Sequence, residues 1–302
     1  MKRIMTAWLC LVLAFALFGC GRQSNPVGEV VVGEIQDAGE KTPTAMTYSN
    51  GMVTVRFVLN EKNVWQWVDD TGFPLDGEKM QEMLDTVGRL AKAAPFSGEE
   101  TPEECGLENS GRYLAMSYSD ESKSVYYFGK QDEGGKWYMR SAEEDAVFLV
   151  EEAVGNLLDR SIYDMMIMPD QPVLTEENVK SVTVQGDKKT TCLTWQEGTW
   201  KKGTAPAAEK EAAMAAAALH LTPDQCADYS PAEGAKEVCG LQEPTLTVEI
   251  RYINTVEKEC AETFFIGNYR ENADGYYMMM QEDSTIYLVS AAQILPILEG
   301  IE

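Results

Sequence analysis

The chain has 302 residues, room for two ordinary domains. Hydrophobic residues make up 44% of it, which supports packed cores and excludes a disordered chain. A net charge of −24 repels phosphate backbones and anionic surfaces, which excludes nucleic acid as a charge-driven partner.

The N-terminus carries a compartment signal. Lys2 and Arg3 precede an almost wholly apolar run, Ile4 to Phe18, that ends in Leu17-Phe18-Gly19-Cys20. A spanning helix needs about 20 apolar residues, so this layout reads as a bacterial secretory signal, with an uncleaved anchor as the plainer alternative. The last four residues match a lipobox except for the bulk of Phe18 at its second position. Residues 1–20 are thus expected to be a lipoprotein signal peptide, with Cys20 the lipid-attachment site and first mature residue. Two acyl chains on Cys20 suffice for stable anchoring. Gly21 offers no sorting acid, so the expected place is the outer face of the cell membrane. The 23 basic and 49 acidic residues that remain give the mature part a charge of −26.

Residues 21–43, with Pro26 and four glycines, read as a flexible tether, in which Val30-Val31-Val32 is a weak strand candidate. The first unit, 44–160, opens with strands Ala45–Ser49 and Met52–Leu59 around Asn50-Gly51, the dipeptide favoured in a type I′ turn. A strand from Val64 to Val68 puts Trp65 and Trp67 on one face. Pro74 and Asp76 then open a helix with Met80, Met83, Leu84, Val87, Leu90 and Ala91 at helical spacing, ended by Pro95. A polar loop, Ser97–Glu104, leads to Cys105-Gly106-Leu107. Strands follow at Tyr113–Tyr118, Ser124–Phe128 and Lys136–Arg140, with a turn at residues 132–135. A closing strand, Val147–Val150, and a short helix, Glu151–Leu158, end the unit.

The second unit, 161–302, repeats this order. Strands are expected at Ser181–Val184 and Thr190–Trp195, and Trp200 lies 133 residues after Trp67. An Ala-rich helix opens at Pro206 and stops before Pro223. Cys239-Gly240-Leu241 repeats the earlier signature, with Gly240 134 residues after Gly106. Strands Thr245–Tyr252 and Glu262–Ile266 follow, then Gly267 matching Gly129 and Tyr276-Tyr277 matching Trp137-Tyr138. A strand at Ile286–Val289 and a helix at Ser290–Leu298 close the unit. The preserved order argues for a tandem duplication. The expected fold is α+β: two repeats, each a mainly antiparallel β-meander packed against one main helix plus a short terminal helix.

The doubled order of a tryptophan near a strand end, proline then helix, a Gly-Leu pair, a strand ending in Gly, a Tyr pair and a short closing helix is similar to the DUF4340 family of bacterial lipoproteins. The resemblance covers about residues 44–298. Cys105 and Cys239 stand where that family usually has Tyr before Gly-Leu. The resemblance implies an accessory role in the envelope beside ABC-type export systems of the gliding-motility kind, and it carries no catalytic residues to transfer.

Chemistry is sparse. His220 is the only histidine, at a helix end where its ring suits the helix dipole; no Gly-x-Ser-x-Gly elbow, Walker loop, GxGxxG or zinc cluster is present. The acidic runs at Glu99-Glu100, Glu103-Glu104, Glu143-Glu144-Asp145 and Glu151-Glu152 read as solvated surface. Asn272-Ala273-Asp274-Gly275 reads as a hairpin turn, not a calcium loop. Met165, Met166, Met168 and Met278-Met279-Met280 read as core filling before thioether copper ligands. Cys105, Cys192, Cys226, Cys239 and Cys260 read as thiols, with a Cys226–Cys239 disulfide the alternative.

No metal, cofactor or catalytic residue is therefore expected. The first expectation is a non-enzymatic, membrane-anchored binding module whose partner is an ABC-type permease. The second is a small-molecule or glycan site in the groove between repeats, using Trp65, Trp67, Trp137, Trp195 and Trp200. A hydrolase would need two carboxylates facing each other across that groove.

Overall fold

A computed structural model describes residues 41–90, 93, 95–144 and 146–302. The expected signal peptide, Cys20, most of the tether with Val30–Val32, and Ala91 and Asp145 lie outside the described residues. The fold is mixed α and β, with two sheets of antiparallel strands.

The first sheet comprises β1 (Pro43–Asn50), β2 (Thr54–Leu59), β3 (Trp65–Trp67), β4 (Arg112–Tyr118), β5 (Lys123–Gln131), β6 (Trp137–Ser141) and β7 (Val147–Val150), in the order β3-β2-β1-β4-β5-β6-β7. Helix α1 (Gly77–Leu90) precedes β4, and α2 (Glu152–Asn156) with a 3-10 turn (Leu157–Asp159) follows β7. The second sheet comprises β8 (Val179–Gly186), β9 (Thr190–Gln196), β10 (Thr199–Lys202), β11 (Ala205–Pro206), β12 (Gln225–Asp228), β13 (Leu246–Ile253), β14 (Glu259–Arg270), β15 (Gly275–Met280) and β16 (Ile286–Ser290). Its order is β11-β10-β9-β8-β13-β14-β15-β16-β12. Helices α3 (Glu209–Leu219), α4 (Ala235–Val238) and α5 (Ala291–Ile301) complete the chain.

Alternation decides which face is buried. In the first sheet the cross-strand row Phe57–Met46–Met116 and the row Val55–Tyr48–Leu114–Tyr126 face the core. Met80, Met83, Val87 and Leu90, at helical spacing on α1, are buried in the same cluster. Asp76 starts that helix by accepting from the backbone N–H of Glu78 (2.9 Å) and Lys79 (3.3 Å). In the second sheet the rows Leu193–Val182–Ile250 and Thr191–Val184–Val248–Phe264–Met280 are buried. One cluster of buried side chains runs through both sheets.

Three local expectations need correction. Asn50-Gly51 does not form a two-residue turn: Ser49 pairs with Thr54, and the Asn50 carboxamide oxygen accepts from the N–H of both Met52 and Val53 at 2.9 Å, closing a four-residue loop. The two-residue turn with two positive φ angles is at Glu197 (φ 53°) and Gly198 (φ 77°), where Gln196 pairs with Thr199. The closing helix of the second half is not short. It spans 11 residues, equal to α3, because Gly300 lets the two helices touch: a Cβ there would lie 2.4 Å from Met214 Cβ. Ladder register also re-pairs the tryptophans. Trp65 lies across from Leu59 and Trp200 across from Trp195, two residues beyond Phe57 and Leu193 respectively, so Trp200 occupies the rung of Trp65 and not that of Trp67.

The doubled Cys-Gly-Leu signature is a helix-stop device. Gly106 (φ 71°) and Gly240 (φ 69°) are left-handed, and each ends one short helical turn. Leu107 N–H donates to Pro102 C=O and Gly106 N–H to Glu103 C=O; Leu241 and Gly240 donate likewise to Lys236 and Glu237. This is the Schellman pairing. The carbonyl of Cys105 then accepts from Lys130 N–H (2.9 Å), and that of Cys239 from Asn268 N–H (2.8 Å). Each contact is made over a glycine in a bulged strand. A Cβ on Gly129 would sit 2.0 Å from Cys105 O, and one on Gly267 2.1 Å from Cys239 O. The loop before Cys105 is therefore not irregular. Thr101 and Glu104 form a reciprocal capping box, with Pro102 at the first helical position.

Candidate functional site

The segment joining the two sheets, residues 160–167, is held from both sides. On the first-sheet side, Asp76 N–H donates to Met165 C=O and Ile167 N–H to Pro74 C=O, both at 2.8 Å, making a short antiparallel bridge between Leu75 and Met166. Lys79 Nζ donates to the carbonyls of Asp164 (2.9 Å) and Met166 (3.2 Å). Tyr48 OH donates to Arg160 C=O (2.9 Å), and the Arg160 guanidinium grips the Glu82 carboxylate. A 3-10 turn, Ile162–Met165, is closed by a Ser161–Asp164 capping box. On the second-sheet side, Gln225 Nε2 donates to Asp164 Oδ1 (3.2 Å) and Tyr163 OH to Asp228 Oδ1 (3.4 Å).

Four aromatic rings meet at this seam. Phe73, 5% exposed, is the hub. Trp67 and Tyr229 meet it edge-on at 5.4 and 5.1 Å between centroids, and Tyr163 stacks at 6.4 Å. Tyr229 OH donates across the seam to Gly72 C=O at 3.3 Å. Trp67, Tyr163 and Tyr229 are half-buried, so the cluster reaches the surface. Three half-buried carboxylates border it: Asp70, Asp228 and Asp283. Asp70 Oδ1 accepts from Gly72 N–H (2.9 Å). Asp283 accepts from Thr285 N–H (2.8 Å) and from Tyr287 OH (2.5 Å). Among the described residues none of the three is in ion-pair contact with a Lys or Arg.

These surroundings set the protonation of the neighbours. Burial, and then the Asp228 charge, raises the Tyr163 hydroxyl; burial, then Asp70 and Asp283, raises that of Tyr229. Burial first, then Asp228, Asp283 and Asp164, pushes the Cys226 thiol up to about 12. Cys226 is thus a protonated filler, not a nucleophile. All five described cysteines are unbridged thiols, and the Cys226–Cys239 disulfide does not form. Only Cys105 and Cys226 are buried, while Cys192 is exposed.

The five candidate tryptophans do not converge. Trp65 and Trp67 lie on β3 at one edge of the first sheet, and Trp137 lies on β6, five strands along the order. Trp195 and Trp200 lie in the second sheet, in contact with each other at 5.3 Å. Trp65 and Trp200 are buried, while Trp67, Trp137 and Trp195 are half-buried. Trp137 is covered by the Arg112 guanidinium, 4.5 Å from its ring, and its Nε1 donates to Asn156 Oδ1. The Nε1 atoms of Trp65 and Trp67 are buried and, among the described residues, have no hydrogen-bond partner. Of the five, only Trp67 belongs to the aromatic seam.

His220 sits at the C-cap of α3, its N–H bonded to Ala217 C=O. Met165, Met166, Met278 and Met280 are core residues, with Met279 on the other face of its strand. Asp274 (φ 42°) closes the hairpin turn and accepts from Tyr269 OH at 2.8 Å. The seam residues missed by periodicity are Phe73, Tyr163 and Tyr229. Each is an aromatic beside an Asp or Pro in a short polar connection, in Asp70-Thr71-Gly72-Phe73-Pro74, Tyr163-Asp164 and Asp228-Tyr229-Ser230-Pro231, and that context is the signal that marks them.

A family model described as Domain of unknown function (DUF4340) matches residues 65–222. The match begins at β3 and runs past α3, so it includes Trp67, Asp70, Phe73 and Tyr163 but not Asp228, Tyr229 or Asp283. Comparison with curated proteins returned no match, nor did comparison with solved structures. With more than half of its length matched, the chain belongs to the DUF4340 family.

Proposed function

We propose that this chain is a lipid-anchored, extracytoplasmic binding module without enzymatic activity, whose partner is a membrane protein, an ABC-type export permease being the one the family resemblance favours. The observation that carries the reading is the aromatic seam. Three half-buried rings around the Phe73 hub lie where two sheets share one core, a rigid surface of the kind that anchors protein contacts. The Lys2-Arg3 start, the apolar run and Leu17-Phe18-Gly19-Cys20 support the anchor. Crosslinking in intact cells followed by capture of the chain tests the partner. Reproducible recovery of a permease supports the reading; recovery of no membrane protein overturns it. Mass spectrometry of the mature N-terminus that finds Cys20 unlipidated, or the apolar run Ile4–Phe18 still attached, would overturn the lipid anchor.

The tandem duplication, with units 44–160 and 161–302, belongs to the same proposal. It is supported by the strand orders, 3-2-1-4-5-6-7 matching 10-9-8-13-14-15-16 once the added edge strands β11 and β12 are set aside, and by the two Schellman turns clamped over Gly129 and Gly267. A small-molecule or glycan site between the units draws support from one of the five tryptophans, Trp67.

A further inference from the structure

We propose that the seam docks a basic peptide segment of the protein partner, seating an arginine or lysine side chain against Tyr163 and Tyr229 between Asp70, Asp228 and Asp283. This inference rests on the binding-module reading and names the chemistry of its partner. The argument is one of donors and acceptors. Both seam phenols already spend their hydroxyls as donors, Tyr163 to Asp228 and Tyr229 to Gly72 C=O. The lysine that reaches the joining segment, Lys79, is spent on two carbonyls. The seam therefore offers ring faces and carboxylate oxygens, and an incoming group must bring the hydrogen-bond donors. Three half-buried carboxylates without an ion-pair partner among the described residues border the rings, and a cation placed against the rings is attracted by each of them. A guanidinium meets both demands, since it stacks on aromatic faces and bonds carboxylates through two N–H groups at once. The net charge of −24 draws a basic partner from a distance and turns away an acidic one.

The test uses the full-length protein in a zwitterionic detergent and the peptide acetyl-Gly-Arg-Gly-Arg-Gly-amide as probe, with citrulline replacing both arginines in a matched control. Calorimetry at low and high salt reads the affinity. The variant Asp70→Asn/Asp228→Asn/Asp283→Asn keeps each side chain's shape and removes its charge, and Glu99→Gln/Glu100→Gln/Glu103→Gln removes three exposed charges elsewhere. The expected result is at least a ten-fold loss of affinity in the first triple variant, less than two-fold in the second, and no measurable binding of the citrulline peptide. Equal losses in both triple variants would mean diffuse attraction and overturn the proposal, as would tight binding of the citrulline peptide. If the first triple variant does not fold, Asp70→Asn alone, on an exposed loop, is expected to lose two- to four-fold, and no loss there counts against the proposal. Crosslinking separates this inference from the reading beneath it. A partner captured equally well by the seam variant removes the seam as its dock and leaves the binding module standing, whereas no capture even by the unaltered chain removes the module itself.

Discussion

Replacing Gly129 by alanine would put a methyl carbon 2.0 Å from the Cys105 carbonyl oxygen and 3.0 Å from its carbonyl carbon. Both contacts are backbone, so no rotamer change relieves them. The capped turn at residues 101–106 must lift away from β5. Lifting it breaks the bond from Lys130 N–H to Cys105 C=O, a net loss of about 1 kcal/mol. It also uncovers Leu107, now 1% exposed, and loosens its small cluster with Cys105, Tyr138 and Phe96 on the face of the sheet away from α1. Exposing one leucine costs about 1.5–3 kcal/mol. The sum is about 2.5–4 kcal/mol, a large share of the 5–15 kcal/mol typical of a folded domain. Gly267→Ala faces the same geometry against Cys239 O and is expected to cost a similar amount. Gly88→Ala is the control: it lies in α1 and, among the described residues, nothing beyond its chain neighbours and its own helix backbone comes within 4 Å of the added carbon, so it should stabilise by about 0.5–1 kcal/mol. Urea unfolding followed by fluorescence measures all three. Because both sheets share one core, a single transition with an unchanged slope is expected. Losses below about 1 kcal/mol at both Gly129 and Gly267 would refute the clamp as a structural requirement.

Phe73→Ala should cost about 3–5 kcal/mol, since the removed ring is the hub for Trp67, Tyr163 and Tyr229; a loss under about 1 kcal/mol in the same unfolding assay would deny it that role. Iodoacetamide at pH 8 should modify Cys192, which is exposed, and spare Cys226, whose thiol burial pushes up to about 12, until denaturant is added; peptide mass mapping reads the difference, and early labelling of Cys226 contradicts the assignment. Glu104 is held below its ordinary value by bonds from Thr101 N–H and Oγ1, so its contribution is present above the unfolded-state value and disappears as pH falls through the lower folded-state value. Glu104→Gln should therefore flatten the acid limb of the stability–pH curve, and an unchanged limb would exclude the capping box as its source.

How far the residues alone reveal this architecture depends on the physics behind each element. Strands with alternating burial, such as Val147–Val150 and Leu246–Ile253, and the helix carrying Met80, Met83 and Val87, are legible because burial imposes a period. Gly129 and Gly267 are legible as repeated positions, but their purpose is not, because the atom they avoid comes from a loop more than twenty residues earlier in the chain. The turn at Glu197-Gly198 hides because a glutamate with positive φ is uncommon, whereas Asn50-Gly51 misleads because its carboxamide finds better partners in Met52 and Val53. The seam escapes periodicity altogether. Phe73, Tyr163 and Tyr229 lie outside regular strands and α-helices, and only the crossing of the joining segment between two sheets brings them together.

The grip on residues 160–167 has a practical corollary for anyone who would divide this protein. A cut after residue 160 would leave Leu75 without the Met166 backbone that bridges it, and Lys79 without two of its acceptors. It would also strip Tyr163 and Tyr229 from Phe73 and open an apolar wound on the fragment. Each half, expressed alone, should stick to itself or to its missing twin, so mixing the separate pieces offers a route to reassembling the whole.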